Sequence, residues 1–140
     1  MNVKVCENEK ELQDAFSVRR TVFIDEQNVP EEEEIDQFEK DSAHFVSYQE
    51  GLPIAAGRFR VLDGSGKVER ICVLKEARNT GAGKAIMREI EAYAVKNGLN
   101  KLKLNAQTHA IPFYLGLGYE VVSEEFLDAG IPHKTMMKKI

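Results

Sequence analysis

Cysteine is scarce in this chain: Cys6 and Cys72 are the only two, and they stand in separate apolar, strand-like runs. Two thiols cannot build a disulfide framework and they lack the close pairing of a metal site, so both read as reduced core residues. Four prolines and 10 glycines are too few for a disordered or collagen-like chain. No internal repeat marks a solenoid. Apolar runs end after a few residues, far short of a membrane span, and the opening MNVKVCENEK holds no apolar leader core. A cytoplasmic location with no membrane partner is the expectation. A surplus of cations is missing too. Nineteen Lys and Arg against 23 Asp and Glu leave a net charge of −4, which argues against general nucleic-acid binding through release of phosphate counterions.

What is present suits one compact domain over residues 1–140, with 43% hydrophobic and 30% charged residues; two domains would each be too small for a good core. The charge is unevenly spread. Asp25 to Asp41 holds nine acids against Lys40 alone and carries −8, which leaves +4 on the rest. Such a patch is either a solvated loop or a field that draws a cationic substrate, while the basic remainder could take an anionic cofactor. Composition leaves both readings open.

Hydrophobic periodicity divides the chain into elements. Val3 and Val5 alternate with polar residues as a short strand, and from Glu9 the positions Leu12, Ala15, Phe16, Val18, Val22 and Phe23 recur at helical spacing. The segments 44–49, 54–62 and 67–74 read as an antiparallel meander, with turns at 50–53 and 63–66. Ala85, Ile86, Ile90, Tyr93 and Ala94 make the apolar face of a four-turn helix that begins at Gly81 and Gly83 and stops at Asn97-Gly98. A strand KLKLNA, a short helix over 111–117 started by Pro112, a strand over 119–122 and a final strand over 134–140 complete the order. This β-α-β-β-β-α-β-α-β-β pattern predicts an α+β fold with helices covering the sheet.

The sharpest local feature is Arg78-Asn79-Thr80-Gly81-Ala82-Gly83-Lys84, set between a strand and a helix. Glycines allow tight turns and close ligand approach, and the free amides of a helix start attract anions, so a phosphate or pyrophosphate is the natural guest. A dinucleotide fingerprint would need glycine where Ile86 stands, and a nucleotide P-loop would need glycine at Arg78 and Ser or Thr at Ala85. Neither spacing fits.

The remaining pattern, Arg78 with glycines three and five residues later, resembles the acetyl-CoA pyrophosphate loop of the GNAT superfamily of N-acetyltransferases. Phe113-Tyr114-Leu115-Gly116-Leu117-Gly118-Tyr119 resembles the helix and glycine-aromatic corner of the same superfamily. Arg19 to Phe23 with Glu26-Gln27, Ala106-Gln107 with His109, and Gly130-Ile131-Pro132-His133 are similar to its ElaA-like subgroup. The resemblance implies a single GNAT-like domain whose mixed, mostly antiparallel sheet is splayed and carries helices on both faces. It implies acetyl-CoA as co-substrate, no metal, a small-molecule amine acceptor, and a monomer or homodimer. It also implies that the backbone at Ile71, Cys72 and Val73 holds the pantetheine arm, that Arg78, Asn79, Thr80, Gly81, Ala82, Gly83 and Lys84 hold the pyrophosphate, and that Phe113 lies beside the cofactor.

Acetyl transfer to an amine needs a neutral nucleophile, a stabilised oxyanion and a proton for the departing thiolate. The resemblance puts Tyr114 beside the sulfur as general acid; a phenol of pKa about 10 stays protonated at neutral pH. By strand alternation Glu69 shares a face with Ile71 and Val73 and is the candidate base, whereas Cys72 faces the other way and is rejected as an acyl-accepting nucleophile. His109 and His133 are each candidates to shuttle a proton or to bind the acceptor, His109 taken as the second catalytic candidate and His133 with Gln107 as acceptor-binding. A non-catalytic acyl-CoA sensor or interaction module is the alternative, and it would dispense with the chemistry of Tyr114.

Overall fold

The computed structural model describes residues 1–140, and their side chains sort the sequence into an open sheet flanked by helices. Strands β1 (Asn2–Val5), β2 (Ala43–Gln49), β3 (Leu52–Leu62) and β4 (Ser65–Val73) form one antiparallel half, and β5 (Lys101–Gln107), β6 (Glu120–Val121), β7 (Phe126–Asp128) and β8 (Ile131–Lys139) form the other. The spatial order is β1-β2-β3-β4-β5-β8-β6, with β7 also on β8. Helices α1 (Glu9–Arg19) and α2 (Glu31–Glu34) precede the meander, α3 (Ala82–Lys96) joins β4 to β5, and α4 (Ile111–Gly116) follows β5. No helix is long and apolar enough to cross a membrane.

The apolar residues divide between the two faces. Phe45, Phe59, Val68, Ile86, Ile90, Leu102, Leu104 and Met136 pack in the larger core under α3 and α4. Ala15, Val18, Val22, Val46, Ala56 and Cys72 form the smaller core under α1. Asn8 starts α1 by accepting the Glu11 N–H at 2.9 Å, a side-chain cap that satisfies one orphan amide. The helix then widens into a π-helical segment, Arg20–Glu26, closed by the Gln27 N–H to Val22 C=O bond at 3.1 Å.

Several boundaries differ from the periodicity. Both meander turns tighten to two residues, Glu50-Gly51 and Asp63-Gly64, all four at positive φ, which is the hairpin geometry that matches strand twist. The strands therefore gain Leu52 and Ser65. The last strand starts at Ile131 rather than Lys134, and β7 and α2 had no periodic signal because each is too short to show one.

Two irregularities position the site. Ala56 pairs with Cys72 but Arg58 pairs with Glu69, so Gly57 faces two residues of β4, and Arg70 takes up the surplus at φ 59°. A Cβ on Gly57 would sit 2.7 Å from Ile71 Cδ1, which explains the glycine. The second is the sole parallel joint: β4 meets β5 only where Gly66, Lys67 and Val68 pair with Leu102, Lys103 and Leu104. Beyond it the strands part.

Candidate active site

Where β4 and β5 separate, a cavity of about 980 Å³ opens between Ile71, Cys72 and Val73 on one side and Asn105, Ala106 and Gln107 on the other. The Leu74 N–H donates to Ile54 C=O of β3 at 2.9 Å, so by alternation the main-chain groups of Ile71 and Val73 face the opening. The Val73 carbonyl indeed points away from β3 and accepts from Arg78 Nε at 3.1 Å. A ligand lying in the gap meets strand-edge backbone on its way in.

At its outer end the cavity reaches the glycine turn. Asn79 and Gly81 both have positive φ, and Thr80 Oγ1 donates to the Ala77 carbonyl, which curls the chain into α3. The first helical bond runs from Ala85 N–H to Gly81 C=O at 3.0 Å. The amides of Ala82, Gly83 and Lys84 are thus the orphan donors of a 15-residue helix with no acid in its first turn. Gly83 has a packing reason of its own: a Cβ there would lie 3.3 Å from Phe113 Cζ. Lys84 is exposed and pairs with no carboxylate. Arg78 departs from expectation, because its fork is not turned to the amides. It grips Glu26 of the π-helical segment at 2.7 and 2.5 Å and bridges the cavity mouth.

Tyr114 is buried in the cavity wall, edge-on to Phe113 with centroids 5.0 Å apart and to Tyr119 at 5.9 Å. Burial pushes its pKa above the ordinary phenol value. The same cause pushes the Cys72 thiol up to about 12.

Glu69 corrects the sequence reading. The bulge at Arg70 breaks strand alternation, so Val68, Ile71 and Val73 pack on the α3 side while Glu69 turns to the α1 side. There its Oε1 accepts from Arg58 at 3.0 Å and from Arg60 at 2.9 Å. Cys72 also faces α1, as expected, with its thiol against the Ala56 carbonyl.

Glu69 belongs to a cluster that the sequence did not reveal. Arg19, fully buried, donates to Glu34 at 2.9 Å and Glu39 at 2.7 Å; Arg58 reaches Asp36 at 2.7 Å and Glu39 at 3.0 Å; Arg70 reaches Glu34 at 3.1 Å and Asp36 at 3.2 Å. Burial works against the charge of Glu39, but Arg19 and Arg58 outweigh it and hold its pKa down at about 2. With Glu26 on Arg78 and Glu31 beside Arg20, five of the nine acids in the −8 run have a guanidinium partner. Glu34, Asp36 and Glu39 thus close an ion-pair core, while Asp25, Glu26, Glu31, Glu32, Glu33 and Asp41 stay exposed. Arg58 in the apolar run IAAGRFRVL was the available signal, since a charge at a buried strand position requires a partner.

The remaining predicted residues meet on one wall. Gln107 and His133 are register partners on β5 and β8 and share a sheet face. Gln107 Nε2 donates to Gln27 Oε1 at 2.8 Å, and its Oε1 lies 2.6 Å from His109 Nε2. His133 is buried, with Nδ1 2.6 Å from the Ile131 carbonyl. The cavity therefore has two sides: Tyr114 comes from the α4 face, and Glu69, Gln107, His109 and His133 stand toward the π-helical segment.

Comparison with known proteins gives the fold and site a context. The family model for the acetyltransferase (GNAT) domain matches residues 6–140. The chain is 55% identical to the uncharacterized N-acetyltransferase YjcF of Bacillus subtilis (strain 168), over 99% of each chain. Among solved structures it is similar to an acyl-CoA N-acyltransferase from Pseudomonas aeruginosa, with TM-score 0.85, 27% identity and coverage of 98% of this chain and 97% of that one. It is also similar to Escherichia coli ElaA, with TM-score 0.83, 23% identity and coverage of 98% and 97%.

Proposed function

The chain belongs to the GNAT acetyltransferase family, and on that footing we propose that it transfers an acetyl group from acetyl-CoA to a primary amine of a small molecule or peptide, by direct attack and without a covalent enzyme intermediate. The observation that carries the reading is the parting of β4 and β5: strand-edge backbone at Ile71 and Val73 lines a cavity that ends at three orphan helix amides and has Tyr114 on its wall. Those parts match a long ligand with a polar, anionic end and a reactive end.

In this reading the Ala82, Gly83 and Lys84 amides take the pyrophosphate and Lys84 adds a point charge. The backbone edge of β4 aligns the pantetheine arm and polarises the thioester carbonyl. The amine approaches from the wall of Gln107, His109 and His133, opposite Tyr114, which donates its proton to the leaving sulfur. The buried thiol of Cys72 packs under α1 and takes no acyl group. Arg78 contributes to phosphate binding only by leaving Glu26.

The test is ligand stabilisation followed by turnover. Acetyl-CoA at 100 times its dissociation constant is expected to add about 2.7 kcal/mol to stability. For a domain of this size that raises Tm by about 5–10 °C. ATP and NAD give far less. Equal stabilisation by all three overturns the cofactor assignment. Release of free thiol from acetyl-CoA across a panel of amines then separates an enzyme from an acyl-CoA sensor, which binds without turnover.

A further inference from the structure

The acceptor wall contains several groups able to take a proton, and most are committed elsewhere. Glu34, Asp36, Glu39 and Glu69 are held by arginines, and Glu26 is held by Arg78. Glu33 and Asp128 are exposed, where water competes for any proton. His109 is exposed too. Gln107 Oε1 can only accept, so His109 Nε2 carries the hydrogen, and the lone pair left on Nδ1 belongs to an exposed ring where water competes for any proton.

His133 differs on each count. Its ring is 8% exposed and stacked on Phe126, with centroids 6.0 Å apart and planes 22° apart. Its Nδ1 lies 2.6 Å from a carbonyl, which can only accept; the hydrogen is therefore on Nδ1 and the lone pair on Nε2. Nε2 has no protein partner, is not sealed in the core, and belongs to a residue lining the cavity. We infer that His133 is the general base for the acceptor amine, an assignment that rests on the acetyl-transfer reading above and replaces Glu69.

The ionisable groups that line the cavity with His133 are Asp128 from β7, His109 from the turn after β5, Lys67, Glu69 and Arg70 from β4, Glu33 and Glu34 from α2, Glu26 from the π-helical segment with its partner Arg78, Lys84 from α3 and Tyr114 from α4. On β8 itself Lys134 follows His133 and points to the opposite face. None of these bonds to Nε2, so the lone pair is directed at whatever enters the gap. In the reaction the amine nitrogen bonds to the thioester carbon as the carbonyl pair moves to oxygen, and the nitrogen gives a proton to Nε2. The oxygen pair returns, the C–S bond breaks, and sulfur takes the Tyr114 proton. Imidazolium and phenolate are reset through water, which leaves amide and free thiol.

His133→Gln keeps size and polarity while removing the base, and His133→Ala leaves space for added imidazole. With hydroxylamine, a minimal amine that fits any pocket, and with each amine of the panel that turns over, thiol release by His133→Gln is expected to fall by roughly 10²-fold. The part of the acid limb of the kcat/KM profile that exceeds the acceptor's own protonation disappears with it, acetyl-CoA affinity stays within about twofold, and imidazole restores His133→Ala but not His133→Gln. Two-bond proton–nitrogen NMR of the wild type is expected to find the hydrogen on Nδ1. A hydrogen on Nε2, a wild-type rate and pH profile in His133→Gln, or a loss of acetyl-CoA affinity equal to the loss of rate overturns the assignment while acetyl transfer stands. A wild type that binds acetyl-CoA and turns over no amine removes both.

Discussion

The two ends of the cavity are made of different materials. The end at the glycine turn is backbone: positive φ at Asn79 and Gly81, then three free amides, all within seven residues of sequence. The opposite wall is side chain, held by contacts such as Arg19 to Glu34 and Arg70 to Asp36, whose partners stand 15 and 34 residues apart. A backbone seat is a local property that tolerates varied side chains. The ion-pair wall needs every member, because removing one leaves a buried charge unmatched.

The comparison breaks most readily at the wall. Arg19→Met removes a fully buried guanidinium and leaves Glu34 with Arg70 alone and Glu39 with Arg58 alone, so a loss of about 3–5 kcal/mol is expected. Tm falls by more than about 10 °C, read by calorimetry. A change of only a few degrees would show that water enters the cluster and replaces the partner. Tyr114→Phe keeps the ring between Phe113 and Tyr119, so folding and acetyl-CoA affinity persist while kcat falls by at least roughly 10²-fold. An unchanged kcat would leave Tyr114 as packing only.

Acid sharpens the contrast. The pKa of Glu39 is depressed, so its contribution is complete above the ordinary carboxylate range and drains away as pH falls through about 2; Asp36 shifts in the same direction. Melts from pH 7 down to pH 2 (roughly, the range set by that depression) are expected to lose stability progressively below about pH 4.5. Hydrogen exchange should show residues 31–41 opening before residues 82–96. Simultaneous opening would mean that the two ends share one cooperative unit. The smallest effect belongs to Glu26→Gln. Its pair with Arg78 is exposed on both sides, so stability changes by less than about 1 kcal/mol. Acetyl-CoA affinity should nonetheless rise, because the guanidinium is freed; a fall would make the pair part of the binding surface.

Legibility followed the same division. The four-turn helix and the glycine turn follow from residues close in sequence and stand where periodicity put them, whereas the β-α order lacked the short α2 and β7. Glu69 was misread because one non-glycine residue, Arg70, holds a left-handed conformation that no turn signal announces, and that inverts the strand phase. The pairing of Glu34, Asp36 and Glu39 with arginines was not legible because net charge counts residues without their partners. Gln107 and His133, 26 positions apart, were named by motif, but only the β5–β8 register brings them side by side.

The joint between β4 and β5, only three residue pairs long, bears on how the chain acquires its cavity. The meander closes through two tight hairpins of low contact order, whereas Gly66 must find Leu102 across the whole of α3, so the two halves of the sheet are expected to assemble separately and dock last. The gap exists only after docking. A long ligand seated there touches both halves at once and supplies cross-links that the sheet itself omits, so its binding opposes undocking in particular and should slow unfolding more than it speeds folding.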